Sequence, residues 1–240
     1  MVKVTNVSKT FTLDDQRVIA LHNVNFEVKE GEFFTIIGPS GCGKSTLLRI
    51  ISNLSPQTSG EITWEKTPVI GFVFQNYALF PYLSVLDNIA FGLKMQGVSK
   101  EKRTPIVKTL IEEMGLVGFE DKHPKELSGG MKQRVGIARS LAISPNVLLL
   151  DEPFSSLDEF TAESLRKLLL ALWKKRKITV IMITHLVREA LELSDRIAVM
   201  SPAPGTVQEI VINILKRPRD LRSKEFFTME DKLIKLVKIA

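Results

Sequence analysis

One cysteine, Cys42, stands among the 240 residues. No disulfide can form within the chain, and a single thiol suits a reducing compartment; Cys42 itself reads as a small residue tolerated in its loop. No apolar run approaches the ~20 residues of a membrane-spanning helix, and Met1-Val2-Lys3-Val4-Thr5 lacks the shape of a signal peptide. These absences lead us to expect a soluble, intracellular chain. Nor do aromatic residues interleave with the basic runs, which argues against a groove that stacks nucleic-acid bases.

Charge is unevenly spread. The net charge is +6, yet residues 166–240 hold 16 basic and 8 acidic side chains, which leaves −2 for residues 1–165. A solvated face explains Lys174-Lys175-Arg176-Lys177 and Lys216-Arg217-Pro218-Arg219 first, an anionic membrane surface second and nucleic acid last. With 44% hydrophobic residues, a chain of this length can bury one sizeable core, so one globular domain is expected.

What the sequence does contain is a phosphate-binding pattern, G-x-x-x-x-G-K-[ST], at Gly38-Pro39-Ser40-Gly41-Cys42-Gly43-Lys44-Ser45. Phe33 to Ile37 before it form an apolar, β-branched run that predicts a buried parallel strand, and Thr46 to Ile51 after it can start a helix. In that order the glycines let backbone N–H groups turn onto phosphate oxygens, and the helix aims its positive end at the same place. Lys44 adds a mobile positive charge, Ser45 a hydroxyl for Mg²⁺ and Thr46 a second hydroxyl for a phosphate.

Before this loop, residues 2–28 alternate apolar and polar and predict antiparallel strands around a turn at Asp14-Asp15. Phe11 ends the first strand, either as an aromatic that stacks on an adenine or as a core or edge side chain. After the loop's helix, residues 55–60 read as a turn, and Val69 to Phe74 as a strand that delivers Gln75 to its C-terminal end. There an amide can reach Mg²⁺ and an attacking water, although a surface glutamine is the plainer alternative. Residues 84–140 turn helical. Ser84 is the expected cap of one helix; Thr104 is the expected cap of the next, with Pro105 in its first turn and Gly115 at its end. Ser128, Gly129 and Gly130 then start a third helix, which standing alone would read as an ordinary capped helix and beside the other motifs reads as a second anion-binding helix start.

Val147 to Leu150 predict a buried strand with Asp151 and Glu152 at its C-terminal end. Asp151 can hold Mg²⁺ through water, and Glu152 can orient and deprotonate an attacking water. Residues 155–158 make the following turn. Ile178 to Thr184 predict another buried strand that carries His185 to the same edge; a lone histidine is usually structural, but at this edge it reads as a γ-phosphate contact before a structural side chain. Two closing strands follow around residues 202–205, and Phe226, Met229, Leu233, Leu236 and Ala240 repeat at helical spacing, which predicts an amphipathic helix over residues 225–240 packed on its own domain or on a partner.

Taken together, these motifs resemble the ATP-binding cassette (ABC) ATPases, the nucleotide-binding subunits of ABC transporters. The resemblance runs from about residue 2 to residue 222. It rests on the phosphate loop, Gln75, Leu127-Ser128-Gly129-Gly130, Asp151-Glu152, Ser156-Leu157-Asp158 and His185. It implies an α/β fold, a P-loop NTPase cassette: a mainly parallel core sheet, an N-terminal antiparallel β-subdomain and an inserted helical subdomain at about residues 76–140, all within one ATP-binding domain over 1–240. It implies ATP and Mg²⁺, with Glu152 as catalytic base, His185 as γ-phosphate switch, Lys44 and Gln75 as further catalytic groups, and Ser45, Gln75 and Asp151 on the metal. Phe11, residues 38–46 and Ser128 to Gly130 would contact nucleotide, the last three in a head-to-tail dimer with a second copy.

Asn76 to Ser84 look like importer sequences whose groove takes a transmembrane permease subunit. That implies a peripheral place on the cytoplasmic face of the membrane, and an extracytoplasmic substrate-binding protein as an indirect partner; no nucleic-acid partner is expected. Residues 131–139 and 151–158 look most like the nitrate/sulfonate/taurine group. Two positions depart from the family pattern: Leu186 follows His185 where an aspartate is usual, and Phe11 stands where tyrosine is common. An exporter subunit, and a soluble ABC ATPase acting on DNA, ribosomes or cluster assembly, are the alternatives; intact Lys44 and Glu152 disfavour a non-catalytic nucleotide-binding regulator.

Overall fold

Residues 1–13 and 16–239 are described by the computed structural model; the turn expected at Asp14-Asp15, and Ala240, lie outside the described residues. The chain divides into two units, one built from Met1–Thr67 and Thr179–Ala240, the other from Pro68–Ile178.

The first unit holds two sheets. Strand β1 (Val2–Leu13) pairs antiparallel with β2 (Gln16–Val28) on one side and with β4 (Ser59–Trp64) on the other. In β2 the buried Leu21, Val24, Phe26 and Val28 are separated by exposed residues, the pattern of a sheet with one wet face. Strand β4 takes in residues 59 and 60, which the sequence marks as turn. Gly60 makes this possible: its φ is +87°, and a Cβ there would lie 2.3 Å from the Asn6 carbonyl oxygen.

The second sheet is mixed. Strand β3 (Phe33–Ile37), buried along its length, pairs parallel with β7 (Thr179–Thr184) and β8 (Arg196–Met200), and β9 (Val207–Ile212) runs antiparallel to β8. Helices α1 (Lys44–Ile51), α6 (Val187–Leu193) and α7 (Lys224–Ile239) belong to this unit. Phe226 and Leu233 of α7 are fully buried against Ile37, Leu191, Ile197 and Val211, with Met229 and Leu236 beside them. The apolar face of α7 is therefore covered by its own unit.

The basic run at residues 216–219 is not a solvated face. Arg217 pairs with Asp195 and donates to the Leu193 carbonyl, and Arg219 donates to the carbonyls of Leu215, Glu192 and Ser194 at 2.7–3.2 Å. Burial first, and the neighbouring Arg217 charge second, push Arg219 down to about 10. These arginines close the C-terminal carbonyls of α6, which a buried helix end must satisfy.

In the second unit β5 (Ile70–Val73) pairs parallel with β6 (Val147–Asp151). Between them run α2 (Val85–Met95), α3 (Lys100–Glu113) and α4 (Gly129–Ala142), and α5 (Glu159–Arg176) follows β6. Ser84 caps α2, its hydroxyl accepting the Asp87 N–H at 3.1 Å. Thr104 does not cap α3: the helix starts a turn earlier after Ser99, and the Thr104 hydroxyl donates to the Lys100 carbonyl at 2.7 Å. Pro105 consequently sits in the second turn, where it leaves the Glu101 carbonyl without its helical N–H. Gly115, at φ +64°, ends α3, with Gly115 N–H donating to Glu112 and Leu116 N–H to Ile111. In the other basic run, Lys175 and Arg176 pair with Glu113 at 2.6 and 2.7 Å.

Replacing Phe226 by Ala should lower unfolding free energy by about 3–5 kcal/mol, the usual effect of emptying a buried phenylalanine site. Denaturant titration of the full chain checks this; an unchanged midpoint would mean that α7 contributes little to its unit.

Candidate functional site

In the first unit, β3 ends at Ile37 and α1 begins at Lys44, so the glycine loop is the whole connection between them. Gly41 and Gly43 have φ of +80° and +94°, and a Cβ on Gly43 would lie 2.7 Å from Leu21 Cδ2. Side chains at these positions would break the loop. Lys44 is 5% exposed. Its Nζ donates to the carbonyls of Gly38 at 2.9 Å and Pro39 at 2.8 Å. A phosphate would replace these neutral acceptors with charged ones, a stronger bond for an ammonium group.

Cys42 is buried, and burial pushes its thiol pKa up, against the opposing pull of the Lys44 charge. That fits an inert packing residue rather than a reactive thiolate. Ser40 is exposed, while Pro39, Ser45 and Thr46 are half-buried. His185 leaves β7 at the same edge at which the glycine loop leaves β3, because Ile37 and Thr184 are register partners. The Thr184 hydroxyl donates to Glu189 Oε2 at 2.6 Å and accepts the Leu186 N–H at 3.1 Å, so the turn that carries His185 is braced from inside. Phe11 is 38% exposed on β1, with the Lys9 ammonium 4.9 Å from its ring centre.

In the second unit, Val73 and Leu150 are register partners, so Gln75 and the Asp151-Glu152 pair leave two parallel strands at one edge. Gln75 Nε2 lies 3.4 Å from Glu152 Oε2 and 3.5 Å from the Ser155 hydroxyl. Asp151 is 3% exposed at the end of β6, and Glu152 has a left-handed backbone, φ 45°. A non-glycine residue in that conformation on a strand end is a mark of a site under constraint.

Ser128 caps α4, its hydroxyl accepting the Met131 N–H at 3.3 Å. A Cβ on Gly130 would meet the Thr161 methyl at 2.4 Å, so α4 starts tight against the first turns of α5. Asp158 caps α5 by accepting the Thr161 N–H at 3.0 Å; the Thr161 hydroxyl first, and this N–H second, hold its carboxyl below the ordinary carboxylate range.

The family model for ABC transporters matches residues 21–155. The chain belongs to the ABC transporter family. It is 44% identical over 239 residues to the aliphatic sulfonates import ATP-binding protein SsuB of Bacillus cereus, covering 97% of this chain and 94% of that protein. It is 41% identical over 252 residues to the nitrate import ATP-binding protein NrtD of Synechocystis, covering 99% and 95%. Among solved structures, the ATP-binding cassette MJ0796, a dimer in a post-hydrolysis state bound to ADP and Pi, superposes with a TM-score of 0.80 at 36% identity, over 89% of this chain and 99% of that one.

For this ABC chain, two features beside the site escape the sequence reading. One is the Thr184–Glu189 brace, whose only sequence signal is a carboxylate placed one turn into the helix after His185. The other is Gly205. Its N–H donates to the Ala20 carbonyl at 3.0 Å and its carbonyl accepts the His22 N–H at 2.9 Å, which presses it against the phosphate loop. A Cβ on Gly205 would stand 1.9 Å from the Cys42 carbonyl oxygen. Nothing in the local pattern distinguishes this glycine from an ordinary turn glycine.

Gly205→Ala should therefore displace the phosphate loop and weaken nucleotide binding by 10-fold or more, on the order of the ~1–3 kcal/mol that overpacking takes. Equilibrium titration with ATP tests it; binding equal to the parent's would show that the loop yields without loss.

Proposed function

We propose that this chain is the ATP-hydrolysing motor subunit of an ABC importer that takes up a small solute such as a sulfonate, nitrate or taurine. The observation that carries the reading is the Gln75–Glu152 pair at the C-terminal end of parallel strands, in a chain whose whole length matches import ATP-binding proteins. We read residues 1–240 as one ATP-binding domain, with a helical subdomain at about 76–140.

In this reading the backbone of Gly38 to Thr46 and the Lys44 ammonium bind the β- and γ-phosphates of ATP. Phe11 offers an exposed ring to the adenine. Glu152 accepts a proton from the attacking water as that water's oxygen bonds to the γ-phosphorus, and ADP leaves as the old bond breaks. Gln75 orients the water, and the His185 side chain contacts the γ-phosphate. The Ser45 hydroxyl, the Gln75 amide oxygen and the Asp151 carboxylate are hard oxygen donors of the kind Mg²⁺ takes together with substrate phosphates. When bound, the ion would neutralise charge on the phosphate oxygens.

Ser128, Gly129 and Gly130 begin a second helix that can face an anion, and we assign it to the nucleotide of a second copy in a head-to-tail dimer. The dimeric state of the MJ0796 cassette supports this. No helix among the described residues is long and apolar enough to cross a membrane. We place the chain at the cytoplasmic face of the membrane through permease subunits, which in turn meet an extracytoplasmic substrate-binding protein. The surface for the permease is the loop before α2. There Asn88, fully buried, accepts the Phe80 N–H and donates to the carbonyls of Phe80, Leu83 and Ser84 at 2.9–3.1 Å, which holds Tyr82 out at 70% exposure.

Glu152→Gln should bind ATP, form an ATP-dependent dimer in light scattering, and lose roughly 10²-fold or more in turnover, the share usual for a general base. Turnover at the parent rate would make Glu152 a structural residue. Lys44→Ala should lose binding and hydrolysis together, since the charge acts on bound and reacting phosphates alike. Co-purification with a membrane permease and uptake assays with labelled sulfonate, nitrate and taurine test the transport role; recovery only with ribosomes or DNA would refute it.

A further inference from the structure

The turn after Gln75, the turn after Glu152 and the start of α4 are tied together by two side chains to which the proposed chemistry gives no part. Tyr77 and Ala78 both have left-handed backbones, φ 64° and 46°, a conformation disfavoured for any residue with a Cβ. Arg139, on α4, donates Nη1 to the Ala78 carbonyl at 2.6 Å and Nη2 to the Tyr77 carbonyl at 3.0 Å. One planar guanidinium therefore closes both carbonyls of the strained turn, a task that needs a fork rather than a point charge. Arg139 is itself held, with Cζ 5.7 Å from the Phe80 ring centre, and burial pushes its pKa below the ordinary arginine value.

The Tyr77 side chain reaches the other way. Its hydroxyl lies 2.7 Å from the Ser156 hydroxyl, on the chain just beyond Glu152. It also stands over the start of α4, since a Cβ on Gly129 would lie 3.2 Å from Tyr77 Oη. The neighbouring Ser155 hydroxyl donates to the Glu152 carbonyl at 3.1 Å. By contrast, the direct contact from Gln75 to Glu152 is 3.4 Å, too long to fix either group by itself.

We propose that Arg139 and Tyr77 are positioning residues that set where Gln75 stands relative to Glu152, Arg139 by gripping the turn after Gln75 and Tyr77 by tying that turn to Ser156. The proposal rests on the reading of Gln75 and Glu152 as hydrolytic groups. Neither Arg139 nor Tyr77 touches the nucleotide in this role; both act through Gln75.

Tyr77→Phe and Ser156→Ala each remove one side of the same hydrogen bond and keep ring and backbone. In the full chain, assayed with its membrane partner, each should lower kcat for ATP about 3- to 10-fold, the worth of one hydrogen bond. The KM for ATP and the melting temperature should stay at the parent's values. The double variant should fall no further than the worse single one, because both delete one interaction. Arg139→Lys keeps the charge without the fork, so kcat should fall similarly and half-maximal activity should need more Mg²⁺ as Gln75 drifts.

Parent kcat in Tyr77→Phe would overturn the proposal, as would a double variant whose loss is the product of the two singles. A lowered melting temperature with unchanged kcat would reduce both residues to scaffolding. Glu152→Gln is measured alongside. If it hydrolyses ATP at the parent rate, the hydrolytic reading fails and takes the positioning role with it; if it is inactive while Tyr77→Phe matches the parent, only the positioning role fails.

Discussion

Strands that are buried along their whole length can carry no chemistry between their ends. In β3, β6 and β7 every residue is buried, and an unpaired polar group there would be left without water or partner. Functional groups are therefore driven to the points where strands stop, and parallel pairing makes strands stop on the same side. The glycine loop and His185 share one such edge, and Gln75 shares another with Asp151 and Glu152. What distinguishes these edges is the backbone they demand: left-handed at Gly41, Gly43, Tyr77, Ala78 and Glu152.

That logic explains which parts were legible in the sequence. The buried strands show as short apolar runs, and the groups at their ends come with them, so the phosphate loop, Asp151-Glu152 and His185 can be placed before any coordinates. Helix boundaries are weaker. Thr104 and Pro105 carry good start signals, but α3 starts after Ser99, and Pro105 falls in its second turn at the loss of one helical N–H to the Glu101 carbonyl. Strand β4 hides behind turn residues because its entry depends on Gly60 crossing Asn6 closely, which is a tertiary fact. Helix α5 has no element in the sequence reading between Asp158 and Ile178, although Ala162, Leu165, Leu169 and Leu172 bury one face at helical spacing.

Least legible are the long side chains that satisfy distant backbone. Arg217 and Arg219 read as surface charge and prove to close α6; Arg139 reads as part of a family motif and proves to close a turn 61 positions away in the chain. Arg134 donates in the same way to the Met114 carbonyl, at the residue that caps the C-terminal end of α3. An arginine's reach and five donors suit it to this work, and nothing in its sequence neighbours says which carbonyls it will find.

The first unit is made from both ends of the chain, and this shapes how the protein comes into being on the ribosome. Strand β3 emerges early, but both of its sheet partners, β7 and β8, are synthesised only after the second unit is complete. Phe226 and Leu233, which cover Ile37 just before the glycine loop, are made later than either partner strand. The second unit can begin to fold as a continuous segment while the loop's own strand still waits. A nascent chain that stalls before residue 179 therefore holds β3, the strand that leads into the glycine loop, without either of its sheet partners.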